Sequence, residues 1–165
     1  MRYSNVDYFE IVNGTDVGVS LYTQGCERHC EGCFNKSAWD LDGGEKYYTD
    51  FRDRIISACC RPGIKRFSIL GGEPLLERNR KDLIELCSMI KEANPNIKIW
   101  LYTGAIYQDV EEDWKDLINE YVDVLVDVPF VLEKRDITIP FRGSTNQRLI
   151  DIKKTIEKGE IVLYD

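Results

Sequence analysis

The stretch Lys65-Arg66-Phe67-Ser68-Ile69-Leu70-Gly71-Gly72-Glu73-Pro74 decides the fold. Lys65 to Leu70 reads as a short strand, and Gly71-Gly72-Glu73-Pro74 closes it as a turn. Downstream, Leu83, Leu86, Cys87 and Ile90 fall at the i, i+3, i+4, i+7 spacing of an amphipathic helix. Asn94-Pro95-Asn96 stops that helix, because the residue before a proline is pushed out of the helical region. Ile97 to Tyr102 forms the next strand and runs into Thr103-Gly104. Val110, Trp114, Leu117 and Tyr121 stripe another helix, and Val122 to Val128 is a near-continuous apolar strand. Upstream, Phe51, Ile55, Ala58 and Cys59 share a helix face between a break at Gly43-Gly44 and a stop at Pro62-Gly63. Two strands, Asp7 to Val12 and Val17 to Thr23, flank a turn at Asn13-Gly14. Leu149 to Ile152 and Glu160 to Tyr164 read as edge strands. This alternation predicts an α/β fold with a mostly parallel sheet and right-handed crossovers. Ligands of such sheets sit at the carboxyl ends of the strands. The loop after Thr23, Gly71-Gly72-Glu73-Pro74, Thr103-Gly104 and Asp127 all follow strand ends and are expected on one face.

Composition bounds the function. The 165 residues fit one domain, 1–165, and 43% apolar content supports a packed core. A net charge of −7 argues against binding the phosphate backbone of a nucleic acid. No apolar run reaches the roughly 18 residues of a membrane span, and the opening Met1-Arg2-Tyr3-Ser4-Asn5-Val6-Asp7 has no apolar core of a secretory leader. The expected setting is therefore the cytoplasm, with no membrane partner. Asn13-Gly14-Thr15 and Asn35-Lys36-Ser37 match the glycosylation pattern only by chance in that setting. A closed eight-stranded α/β barrel takes about 250 residues, so this chain cannot complete one.

The loop Gly25-Cys26-Glu27-Arg28-His29-Cys30-Glu31-Gly32-Cys33-Phe34-Asn35 carries three of the six cysteines at C-x3-C-x2-C spacing. Thiolates are soft ligands that favour zinc or iron–sulfur clusters. A structural zinc site wants four closed ligands, and the remaining cysteines, Cys59, Cys60 and Cys87, fall on helices. Three close thiols suit a four-iron cluster with one iron open to a substrate or cofactor. The alternative is a zinc knuckle with His29, the one histidine, as fourth ligand. Its adjacency to Cys30 makes joint ligation awkward. Glycines at 71 and 72 let backbone approach closely, and the Glu73 carboxylate can accept hydrogen bonds from an ammonium group.

Cys26, Cys30, Cys33 and Phe34, together with Gly71-Gly72-Glu73-Pro74, resemble the two motifs of the radical S-adenosylmethionine superfamily. The resemblance implies a shortened, open partial (β/α) barrel of the radical SAM type. It implies a [4Fe–4S] cluster on the three cysteines whose fourth iron chelates S-adenosylmethionine. Phe34 would contact the adenine, and Gly71, Gly72 and Glu73 would grip the methionyl amine. Asn35, Thr103 and Asp127 are further cofactor candidates, and Trp39 is expected to pack. Asn35-Lys36-Ser37-Ala38-Trp39 is similar to glycyl-radical-enzyme activases. Phe9 to Gly14, Trp100 to Gly104, Val122 to Asp127 and the donor-rich Phe141-Arg142-Gly143-Ser144-Thr145-Asn146-Gln147-Arg148 resemble the activases of anaerobic (class III) ribonucleotide reductase. Related activases carry an acidic residue where Tyr102 stands and many carry a lysine where Pro129 stands, so Thr103 and Asp127 depart from the pattern.

That resemblance implies reductive cleavage of S-adenosylmethionine to a 5′-deoxyadenosyl radical, which takes a hydrogen atom from a glycine of the reductase large subunit. No catalytic side chain is needed beyond the cluster and S-adenosylmethionine. The implied partners are that glycyl radical protein and an electron donor protein or small reductant. Two other readings fit parts of the sequence. One is a compact radical enzyme acting on a small heterocycle. The other is a non-enzymatic iron–sulfur or zinc module.

Overall fold

The structure is a computed structural model and describes residues 1–164. Seven strands form one sheet: β1 (Arg2–Glu10), β2 (Gly18–Thr23), β3 (Glu45–Lys46), β4 (Arg66–Gly71), β5 (Lys98–Tyr102), β6 (Val124–Asp127) and β7 (Arg148–Asp151). Their order across the sheet is β3-β1-β2-β4-β5-β6-β7. The pairs β2–β4, β4–β5 and β5–β6 are parallel, while β1, β3 and β7 pair antiparallel at the two flanks. Helices α1 (Thr49–Cys59), α2 (Arg80–Ala93) and α3 (Glu112–Tyr121) connect the parallel strands, and α4 (Ile152–Lys158) follows β7. The α/β alternation is as the sequence periodicity implies, and the sheet, expected to be mostly parallel, is parallel at its centre and antiparallel at both flanks.

One sheet face is dry. Val19, Leu21, Phe67, Ile69, Ile99, Leu101 and Leu125 pack against Phe51 and Ile55 of α1, Leu83, Leu86, Cys87 and Ile90 of α2, and Leu117 and Ile118 of α3. Cys87 is core, as its helix position implies. The alternate positions face the other way and are polar or aromatic over β2, β4 and β5, at Ser20, Tyr22, Arg66, Ser68, Trp100 and Tyr102, with Val124, Val126 and Leu149 clustering around Trp100 at the β6–β7 side. Among the described residues, no helix contributes to the cluster on that face. The loop after β1 lies over its polar part through Arg66, whose side chain is fully buried and pairs with Glu10 at 2.7 Å. Arg66 also donates to the carbonyls of Asn13 and Thr15. Phe141 and Tyr164 each stand edge-on to Trp100, with ring centroids 5.3 Å away.

Three local expectations change. The first strand spans Arg2–Glu10 rather than Asp7 to Val12. Pairing ends at Glu10 opposite Gly18, and the Glu10 carboxylate then accepts the N–H groups of Val12 and Asn13, which turns the chain out of the sheet. The tail strand ends at Asp151, because that side chain caps a helix by accepting from Lys154 N at 3.0 Å. Gly159 closes the helix in the left-handed region at φ 69°. The segment from Glu160 to Tyr164 makes one isolated bridge, Leu163 to Ile150, rather than a strand.

Candidate functional site

Because β2, β4, β5 and β6 are parallel, their carboxyl ends share one edge of the sheet. The cysteine loop leaves β2 there. Gly72 N donates to Thr23 O and Glu73 N to Gly25 O, both at 2.8 Å, so the turn after β4 is stitched by backbone to the base of the cysteine loop. The two glycines serve that close approach. A Cβ at Gly71 would lie 2.5 Å from Thr23 N, and one at Gly72 would lie 2.2 Å from Gly25 O. Gly71 also has φ +112°, a region that L side chains rarely adopt. Buried Gln24 braces the loop from below, donating to the carbonyls of Ser37 and Asp40, and Arg78 donates to Gln24 O. No sequence pattern marks Gln24 or Arg78.

All six cysteines are free thiols. Cys26 is buried, while Cys30 and Cys33 are half-buried. Burial pushes the Cys26 thiol up, and the neighbouring backbone N–H groups of Arg28 and His29 act only partly against this. Cys33 N donates to Cys30 O at 3.1 Å and curls the loop. Among the described residues, no three His, Cys, Asp or Glu side chains converge closely enough for one metal ion. A four-iron cluster does not ask for that, because each thiolate binds a different iron. The His29 ring lies 4.6 Å from the Trp39 ring, tilted by 40°, and the residue is exposed. Three free thiols on one loop, with the His29 ring set against Trp39, fit a cluster with an open iron better than they fit a closed zinc site.

Glu73 is buried and accepts four hydrogen bonds. Oε2 takes Arg28 Nε at 2.5 Å and Gly104 N at 3.0 Å. Oε1 takes Thr103 Oγ1 at 2.7 Å and Leu75 N at 3.1 Å. A carboxylate has about four lone-pair sites, so Glu73 is saturated by its own chain. It ties the cysteine loop, through Arg28, to the end of β5, through Thr103 and Gly104. Arg28 lies across Gly104, where a Cβ would stand 2.4 Å from Arg28 Cδ and push that side chain aside. Beside this pair lies a pocket of about 290 Å³ lined by Arg28, Gly104, Ala105, Ile106, Asp109 and Pro129. A larger cavity, about 620 Å³, lies near Gly14, Val17 and Lys65, at the opposite ends of the strands.

The remaining candidates stand apart from this centre. Phe34 is 97% exposed. Asn35 stands at the head of the short turn after it without a side-chain bond to its backbone, and its Oδ1 accepts from Ser37 Oγ at 3.1 Å. Asp127 is fully buried and takes two N–H groups of Arg148 and the Tyr107 N–H. The donor-rich tail is a brace on the same strand end. Gln147 Oε1 accepts from Gly143 N, Asn146 Nδ2 donates to Pro129 O, and Arg148 holds Asp127.

Comparison with known proteins adds to this geometry. Residues 12–150 match the family model of the 4Fe-4S single cluster domain. The chain is 34% identical over 149 residues to the anaerobic ribonucleoside-triphosphate reductase-activating protein of Vibrio cholerae, covering 89% of this chain and 96% of that protein. The protein of the same name in Escherichia coli K12 is 33% identical over the same shares. That of Enterobacteria phage T4 is 33% identical over 90% of this chain and 93% of its own. The chain belongs to the anaerobic ribonucleoside-triphosphate reductase-activating protein family. In a member of this family the three thiols fit the cluster that the domain is described by. No helix among the described residues is long and apolar enough to cross a membrane.

Proposed function

We propose that this protein activates anaerobic ribonucleoside-triphosphate reductase by generating a glycyl radical on its large subunit. The carrying observation is the stitching of Gly72 and Glu73 to Thr23 and Gly25, which brings the cysteine loop and the Gly-Gly-Glu-Pro turn to one strand-end edge. Cys26, Cys30 and Cys33 would hold a [4Fe–4S] cluster. Phe34, Asn35, Gly71, Gly72, Glu73, Thr103 and Asp127 are the candidates to surround S-adenosylmethionine. Of these, Glu73 and Thr103 act by fixing the cysteine loop, and Asp127 by fixing the end of β6. Cluster and S-adenosylmethionine together supply one-electron cleavage to a 5′-deoxyadenosyl radical, chemistry that belongs to the cofactors. The chain's residues place the loop, hold its thiolates and shield the strand ends from water.

The open sheet is read as a shortened, partial (β/α) barrel in a single domain, 1–165, whose unclosed side admits a glycine-bearing loop of another protein. The electron comes from a donor protein or small reductant, and the cytoplasm is the expected setting. The test is anaerobic iron and sulfide reconstitution, reduction, and assay for 5′-deoxyadenosine, followed by electron paramagnetic resonance of added reductase. Product and a glycyl doublet are expected, and Cys30→Ala abolishes both. Retained zinc with no deoxyadenosine sinks the reading. Turnover of a free heterocycle without a glycyl radical moves it to a small-molecule enzyme.

A further inference from the structure

We propose that residues 136–143 form a flap over the sheet face turned away from α1, α2 and α3, around Trp100. The flap closes that face in the free protein and swings clear when the glycine-bearing loop of the reductase docks there, with Phe141 as its latch. This rests on the functional reading above and deepens it, because it assigns the element that controls entry and a residue, Tyr102, that receives the peptide.

The build of the segment is the first ground. Its neck is closed: Asp136 N donates to Gly143 O at 3.1 Å, Thr145 N donates to Lys134 O at 2.8 Å, and Arg135 bridges to Ser144. Beyond the neck the chain is loosely tethered. Among the described residues, the one hydrogen bond from positions 137–142 to the rest of the protein runs from Arg142 Nη1 to Gln147 O, at 3.4 Å. Thr138 bonds only to Asp136, inside the flap, and Ile137 is 83% exposed. Phe141 reaches inward and stands edge-on to the buried Trp100 ring. Its backbone sits at φ 60°, in the left-handed region that bulky residues rarely adopt. The latch is therefore set against a backbone cost that its release returns. A fixed neck with a tip held by one ring can move as a unit.

The face beneath is the second ground. Four buried side-chain atoms around it have no partner: Trp100 Nε1 and Tyr102 OH on β5, and Arg142 Nε and Asn146 Oδ1 on or beside the flap. A buried donor without an acceptor is costly, and an indole N–H can only donate. The closed flap sets an apolar ring against Trp100, which offers no acceptor. A peptide offers carbonyls. Trp100 and Tyr102 are two residues apart on one strand, so their side chains rise from the same face about 7 Å apart. Alternate carbonyls of an extended chain recur at that spacing. A glycine in the incoming chain lets its backbone come close to the face.

The test uses the cluster-loaded chain with S-adenosylmethionine and a synthetic peptide spanning the radical-bearing glycine of the reductase, titrated anaerobically by calorimetry. Phe141→Ala should bind the peptide about threefold or more tightly, because no ring pair holds the closed state. A Phe141 that serves packing alone predicts equal or weaker binding, which overturns the proposal. Tyr102→Phe should bind the peptide about threefold or more weakly, having lost one hydrogen bond. Unchanged affinity there overturns the proposal too. If Phe141→Ala does not fold, fluorine NMR of the chain carrying 4-fluorophenylalanine at position 141 reads the flap directly. The peptide should move that resonance to its solvent-exposed position, and a fixed resonance overturns the proposal. A loaded wild type that puts no glycyl radical on added reductase overturns the functional reading and the proposal with it. A radical formed while the resonance stays fixed overturns the proposal alone.

Discussion

Glu73, just past the end of β4, and Asp127, at the end of β6, are buried carboxylates of one sheet, each paired with an arginine distant in sequence, Arg28 of the cysteine loop and Arg148 of β7. Their surroundings differ. Arg148 spends Nε and one outer nitrogen on Asp127, and that outer nitrogen also on Gln108 Oε1, within a tail whose polar groups bond to one another and to Val128 and Pro129. Arg28 spends one donor on Glu73 and leaves the others open above a pocket. Identical chemistry therefore gives a closed brace at β6 and an open site at β4. What separates them is that an outer nitrogen of Arg148 is engaged by Asp127 and Gln108, while Arg28 bonds through Nε alone.

The largest test of that contrast removes each acid. Asp127→Ala strips Arg148 and the Tyr107 N–H of their acceptor and should cost about 3 kcal/mol, near the low end for a broken buried pair because Arg148 keeps some solvent. Scanning calorimetry would show this as a lower melting temperature, with little change in iron bound per folded chain. Glu73→Gln keeps the shape but sets an amide N–H₂ against donors, costing about 1–3 kcal/mol. Here the cysteine loop loses its anchor, so iron retention after reconstitution should fall as well. Equal iron retention in the two variants would erase the distinction between brace and site.

A third buried pair, Glu10 with Arg66, lies toward the other end of the strands and gives the next test. Burial alone would raise the Glu10 carboxyl. Hydrogen bonds from Arg66, Ser20 and the N–H groups of Asn13 and Val12 outweigh it and hold the group below its ordinary 4.5. A carboxyl depressed in the folded state stabilises fully above its unfolded value and loses that contribution as pH falls through the folded one. The urea midpoint should therefore drop as pH falls below about 4.5, the ordinary carboxylate range. Glu10→Gln should flatten that drop; an unchanged profile would mean that the Arg66 network carries no linkage. The smallest effect compares the arginines. Arg148→Lys should cost about 1 kcal/mol, because a lysine cannot hold Asp127 and Gln108 together. Arg28→Lys should cost less than about 0.5 kcal/mol of stability, since Arg28 is a third exposed. Chemical denaturation of the two variants measures this, and the reverse order would count against an open Arg28.

Much of this was legible in the chain. The strands around Ile69, Leu101 and Leu125 and the stripes of α1 to α3 follow from apolar periodicity, because burial on one face selects it. The cysteine spacing and the Gly-Gly-Glu-Pro turn gave the strand-end edge and the metal chemistry. Helix α4 carried readable signals, an aspartate cap at Asp151 and a closing Gly159, but its seven residues are too few to show a stripe. The end of β1 at Glu10 was not readable, since Ile11 and Val12 look like strand and leave the sheet only because the Glu10 side chain captures their turn.

The amino-acid order by itself determined the alternation of elements, the thiol loop and the glycine turn, because each is a local pattern imposed by burial, ligand chemistry or backbone freedom. Only the tertiary structure decided which arginine meets which acid. Arg28 and Glu73 are 45 positions apart and Asp127 and Arg148 are 21 apart, and no local rule selects such partners among 22 basic and 29 acidic residues. The sheet does: the parallel β2–β4 pair sets the cysteine loop beside the turn after β4, and the antiparallel β6–β7 register puts Asp127 opposite Arg148. A buried carboxylate must then take the donors that reach it.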